Sequence, residues 1–181
     1  MIEKYCDIDN ERIINYASKF SQNYSGIYLI NRIYIDIKNF IYYDPYIYKE
    51  EKASETLVMG RGDNKRKNIL LYTVFKSLNF NCELKTVRVK DLSNKIIARQ
   101  NEVLDWFYVF LDFMGKKINL EPTFDTNYMR SIRFTDKNIF GEFNAEKYYV
   151  EEKRLFKKID DIEITYPINK NLEDNTKSEA L

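Results

Sequence analysis

The sequence predicts an α+β domain, with N-terminal helices packed on an antiparallel β-sheet. Two observations carry that expectation. Up to Asn79 the apolar residues recur every three or four positions, the period of a helix with one buried face; beyond it they alternate, the period of a strand. Helical runs followed by strand runs, without strand–helix alternation, belong to the α+β class. A chain of 181 residues with 44% hydrophobic and 31% charged side chains is long enough to close one core. Residues 1–166 are therefore expected to form a single domain, and the polar stretch 167–181 a flexible tail.

The first helix is expected over residues 8–22, with Ile13, Ile14 and Ala17 on its inner face and Asp9 or Asn10 as its cap. The second runs over residues 25–43, where Ile27, Ile30, Tyr34, Ile37 and Ile41 keep helical spacing. Pro45 then breaks the chain into the irregular run YYDPYIYKEEKASE. The third helix spans residues 64–79, with Leu71, Val74, Phe75 and Leu78 on its apolar face and Leu70 alongside. CELKTVRV alternates as a strand through Leu84, Val87 and Val89. VLDWFYVFLDF and KKINLEP form two hairpin arms around Asp112-Phe113-Met114-Gly115, a sequence suited to a type I turn with a bulged glycine. Phe107, Val109 and Leu111 share one face of the first arm, Ile118 and Leu120 one face of the second. Further strands and a short helix are expected between residues 128 and 166.

Composition removes several functions. Lys+Arg 29 against Asp+Glu 28 leaves a net charge of +1, which offers no general attraction to nucleic acid or to an anionic membrane. The N-terminus is charged from its third residue and lacks the apolar run of a secretory signal, and no uncharged stretch is long enough to span a bilayer, so the expected setting is cytoplasmic. Cys6 and Cys82 lack metal-ligand spacing, and neither a metal nor another cofactor is expected. Most restrictive is the complete absence of histidine, which removes every Ser-His, Cys-His and His-metal site.

The chemistry-bearing stretch is Gly60-Arg61-Gly62-Asp63-Asn64-Lys65, a glycine turn feeding a helix N-terminus. Such a turn can seat a nucleophile, hold an anion or simply cap the helix. Arg61, Gly62, Asp63 and Lys65 are the candidate anion or ligand contacts. The spacing departs from a phosphate-binding G-x-x-x-x-G-K-[ST] loop, and the basic triplet Lys65, Arg66, Lys67 reads first as a solvated helix turn. Asn64 reads as a cap, since its side-chain oxygen can accept a first-turn N–H. Cys82 reads as an inert buried thiol.

The glycine turn, the apolar helix, the strand LNFNCELKTVRV and the run DWFYVFLDFMGKKINLEPTFD, in that order, resemble the transglutaminase-like superfamily of papain-like cysteine enzymes over residues 53–125. The resemblance implies a papain-like fold with a cysteine opening the helix, a histidine on one strand and an aspartate on the next. Carried onto this sequence, those positions fall on Asn64, Trp106 and Glu121. An amide has no ionisable proton, an indole accepts none, and the carboxylate has no imidazole to orient. The resemblance therefore implies a catalytically inactive member, with Asn64, Trp106 and Glu121 as vestigial site positions. Its role would be binding, regulation or scaffolding, with a protein or peptide partner at the vestigial cleft. Trp106 reads as a sheet-face aromatic filling the vacated imidazole volume, and Glu121 as a solvated carboxylate at a strand end. Pairing of the two arms is expected to bring Trp106 and Glu121 within about one residue of register. Two alternatives remain: a hydrolase or transferase using Glu121 with a Lys or Tyr, and an α+β module whose turn holds a phosphate or nucleic acid.

Overall fold

The computed structural model describes residues 2–47, 49–91, 103–131 and 156–158. The chain falls into two units, residues 1–85 with 107–144, and residues 86–106 with 145–181. The expected tail 167–181, and most of the strands expected between 128 and 166, lie outside the described residues.

In the first unit Asn10 opens α1 (Glu11–Ser21) by accepting the Arg12 N–H at 3.0 Å. Ile13, Ala17 and Phe20 face inward, while Ile14 is 45% exposed and lies off the expected face. Helix α2 (Gly26–Phe40) buries Leu29, Ile30, Ile33, Tyr34 and Ile37. Ile27, expected inside, is 46% exposed, at the edge of the face those five residues define. Residues 42–43 form β1 (Tyr42–Tyr43) instead of ending the helix, and pair in parallel with β2 (Arg61–Gly62).

A helix absent from the sequence reading, α3 (Ala53–Met59), begins in the last three residues of the run expected to be irregular, and its start is supported twice. Glu55 accepts the Lys52 N–H at 2.7 Å, and Asp7, from far upstream, accepts the Ser54 N–H at 3.1 Å. The two glycines of the turn serve this local geometry. Gly60 ends α3 in the left-handed region at φ 65°, its N–H bonded to the Thr56 carbonyl. Gly62 lets β2 approach the next helix: an added Cβ would lie 3.2 Å from both Arg66 Cβ and Lys67 Cγ.

Helix α4 (Asn64–Ser77) is capped by Asp63, whose Oδ1 accepts the Arg66 N–H at 2.9 Å. It ends in a Schellman motif: Asn79 is left-handed at φ 60°, and the Phe80 N–H returns to the Phe75 carbonyl at 3.0 Å. Phe80 then packs edge-on to Phe75, their ring centroids 5.5 Å apart. The expected apolar face of α4 is buried at Leu70, Leu71, Val74 and Phe75.

Strand β4 (Val103–Phe113) pairs antiparallel with β5 (Lys116–Leu120), setting Val109 opposite Leu120 and Leu111 opposite Ile118. These four side chains close the core beneath α1, α2 and α4, together with Cys82 at the start of β3 (Cys82–Asp91). Each buried aliphatic side chain of this set contributes about 1.5–3 kcal/mol. The hairpin loop is tighter than expected. Phe113 pairs with Lys116, leaving only Met114 and Gly115, both at positive φ (52° and 77°), which is the two-residue type I′ connection. Asp112 is therefore paired with Lys117 rather than opening a type I turn. Helix α5 (Thr126–Ser131) follows, its third residue donating an N–H to Asp125 at 2.9 Å.

In the second unit the outer half of β3 pairs antiparallel with β6 (Phe156–Lys158), Val89 opposite Lys158. Among the described residues no helix is long and apolar enough to cross a membrane.

Candidate functional site

Asn64 is the first residue of α4, not its cap, because Asp63 already fills that role. Its carboxamide turns across to β4 and behaves like a peptide group. Oδ1 accepts the Phe107 N–H at 2.6 Å and Nδ2 donates to the Phe107 carbonyl at 2.9 Å. Nδ2 also lies 2.8 Å from Thr123 Oγ1 and 3.2 Å from Glu121 Oε1, so its two hydrogens are shared among three oxygens. The strand residue that meets Asn64 is Phe107, through its main chain; Trp106, buried, belongs to the second unit.

Glu121 is buried at 5% exposure, where a solvated strand end was expected. Local donors explain the difference. Its Oε1 accepts from Asn64 Nδ2, from Asn68 Nδ2 at 3.2 Å, from the Thr123 N–H at 2.9 Å and from the Thr123 hydroxyl. Burial pushes its carboxyl above the usual range, against the pull of the Thr123 hydroxyl bond, the Lys38 charge and the Asn68 amide. The hairpin pairing ends with Val109 opposite Leu120, so Glu121 lies just past the end of β5.

The largest departure from the sequence expectation is Lys67. Expected on a solvated turn, it is completely buried, and its ammonium donates to the Lys38 carbonyl at 2.9 Å and the Thr123 carbonyl at 2.8 Å. One side chain thus ties α4 to the last turn of α2 and to the segment after β5. Burial pulls its pKa down to about 7, opposed by the negative charges of Asp125 and Glu121. Half-buried Lys38 is pulled down to about 8 by the same cause. Tyr34 donates to the main-chain carbonyl of Glu121 at 3.0 Å, and Asp125 accepts the Tyr43 N–H at 2.8 Å.

Asn64, Lys67 and Asn68 had a signal in the sequence. Positions 64, 67 and 68 continue the stripe of Leu71, Val74, Phe75 and Leu78 one turn further, so they belong to the buried face of the same helix. Thr123 and Asp125 had none: they are buried by partners more than fifty residues away.

The residues considered as anion contacts are engaged within the chain. Arg61 pairs with Asp44 at 3.2 Å and Lys65 with Glu50 at 3.3 Å. Asp63 caps α4 and accepts from the Arg66 guanidinium at 2.6 Å, and Gly62 is held in the β1–β2 pair. Cys82 is buried and its thiol is pushed up to about 11, chiefly by burial.

No protein-family model and no curated protein matches the chain. Among solved structures it is similar to a "putative cysteine protease" from Cytophaga hutchinsonii, with a TM-score of 0.51 at 17% identity, covering 66% of this chain and 38% of that one. A "putative protease" from Parabacteroides distasonis gives a TM-score of 0.49 at 15% identity, covering 66% of this chain and 25% of that one. The chain thus spans well under half the length of either. At such identity the likeness of the first carries architecture alone: the fold is α+β, of the papain-like cysteine protease type.

Proposed function

We propose that this chain is a catalytically inactive, transglutaminase-like domain whose nucleophile position has become a structural joint. It would act by binding, regulation or scaffolding, with a protein or peptide as partner. One observation carries the reading: the Asn64 carboxamide is engaged inside the fold through both its ends, Oδ1 by the Phe107 N–H and Nδ2 by Phe107, Glu121 and Thr123. A group so committed is neither nucleophilic nor free to meet a substrate. With no histidine in the chain, nothing at the site can shuttle a proton as an imidazole does.

A second reading, acid–base chemistry by Glu121 with Lys67, draws support from the two shifted groups in one cluster. It is the weaker one, because the Lys67 ammonium donates to two main-chain carbonyls rather than to the carboxylate.

The test has two parts. The purified chain, offered fluorogenic peptides, an amide substrate and a glutamine–amine transfer pair, is expected to show no turnover above blank. Turnover abolished by Cys6→Ser or Cys82→Ser overturns the inactive reading; turnover abolished by Glu121→Gln with a carboxylate limb in the pH–rate profile establishes the second one. Independently, Asn64→Ala takes the partner from the Phe107 N–H and from its carbonyl and removes one of four donors to Glu121, and is expected to lower the unfolding free energy by about 2–4 kcal/mol in urea titration. A neutral Asn64→Ala removes the structural joint.

A further inference from the structure

We propose that the chain from Asp44 to Glu51 is an electrostatically latched strap across the first turn of α4, poised to open as ionic strength rises. This inference does not depend on the site being inactive. Three carboxylates of the strap face three cations of the following segment in sequence order: Asp44 with Arg61, Glu50 with Lys65, and Glu51 with Arg66. The described strap residues, 44–47 and 49–51, lie in neither a helix nor a strand, and Pro45 withholds one backbone donor from any pairing there.

The three ties differ in kind. The Arg61–Asp44 and Lys65–Glu50 pairs are partly solvated, with side-chain exposures of 54% and 25%, and 34% and 57%. Pairs of that sort are weak and screened by salt. The Arg66–Glu51 tie is buried but incomplete. Arg66 Nε and Glu51 Oε2 stand 3.9 Å apart, and neither atom makes a hydrogen bond among the described residues. A buried ion pair without hydrogen bonds recovers little of its desolvation. Arg66 is also drawn by a competing carboxylate, since its other guanidinium nitrogens bond Asp63 at 2.6 Å and the Lys49 carbonyl. Asp63 belongs to the cap of α4, so opening the strap leaves Arg66 with a partner. The latch can release without stranding the cation.

Hydrogen exchange read by mass spectrometry on the intact chain tests this, comparing a peptide spanning residues 44–52 with one from the core of α4 spanning residues 69–75. Raising salt from about 20 mM to about 1 M shortens the screening length several-fold. Exchange of the strap is expected to accelerate about fivefold while that of the α4 core stays unchanged. The double variant Arg61→Gln, Lys65→Gln removes only the two solvated ties, and is expected to show the fast rate already at low salt. Arg66→Met is expected to exceed both. Strap exchange indifferent to salt and to the double variant overturns the latch, because packing then holds the segment. Joint loss of protection in the strap and in α4 also overturns it, because the strap then has no opening of its own.

Discussion

At the scale of single residues, the site is built by groups that sequence convention places in water. Asn64, Lys67 and Asn68 continue an apolar helical stripe, and that periodicity outranks their polarity. Their residue types suggested a cap and a solvated turn, while their positions pointed inward; position was the better guide. Thr123 and Asp125 had no local period to betray them, because their distant partners lie on α4 and β1. Lys67 yields a prediction at this scale. In the unfolded chain it holds its proton up to about pH 10.5, whereas in the fold burial pulls it down to about 7. Between those values the unfolded state binds a proton that the folded state lacks, so stability rises with pH, and the gain is lost as pH falls toward 7. Each such proton gives a slope approaching about 1.4 kcal/mol per pH unit. Lys38 adds to the rise, while Glu121, raised by burial, acts oppositely as pH climbs above 4.5. Urea midpoints measured from pH 7 to pH 9 are expected to climb in the wild type and to flatten in Lys67→Met. An unchanged slope in that variant means Lys67 keeps its proton in the fold.

At the scale of elements, strong periods were legible and short or strained pieces were not. Helices α1, α2 and α4 and strands β3, β4 and β5 follow from spacing alone. Helix α3 was hidden because it has seven residues, too few for a period, and because Asp7, far upstream, supplies part of its cap. Strands β1 and β2 have two residues each and exist only through mutual pairing. The hairpin loop was misread by one position. Asp and Gly at the ends of a four-residue window suggested a type I turn, but the twist of the strands favours a two-residue loop with both φ positive. Met114 tolerates φ 52° only under strain, and its side chain is 88% exposed, so it packs on nothing that compensates. Met114→Asn, the residue preferred at that place, is expected to raise the unfolding free energy by about 0.5–1 kcal/mol, and Met114→Val to lower it. Equal midpoints for Asn, Val and wild type in urea would show that the loop is not held in that geometry.

At the scale of the whole molecule, the order of helices before strands gave the α+β class, and the likeness to the solved "putative cysteine protease" agrees with it. What sequence order could not supply is how the helices and strands of the first unit share a core. Cys82 reports on that core directly. It opens β3, is 2% exposed, and sits among side chains of the helices and the hairpin. Burial pushes its thiol up to about 11, so at neutral pH almost none of it is thiolate. Alkylation in the native state therefore requires an opening that both exposes and ionises the sulfur. Half-buried Cys6 needs only local release of the N-terminal segment. With excess iodoacetamide at pH 7.5, Cys82 is expected to react at least about a thousandfold more slowly than in urea, and its labelling is expected to follow the global unfolding transition. Cys6 is expected to react first. Should Cys82 label in the folded chain as fast as Cys6, the core beneath α1, α2 and α4 opens on its own, and a thiol becomes available for chemistry. Protection of Cys82 leaves that core without an accessible thiolate.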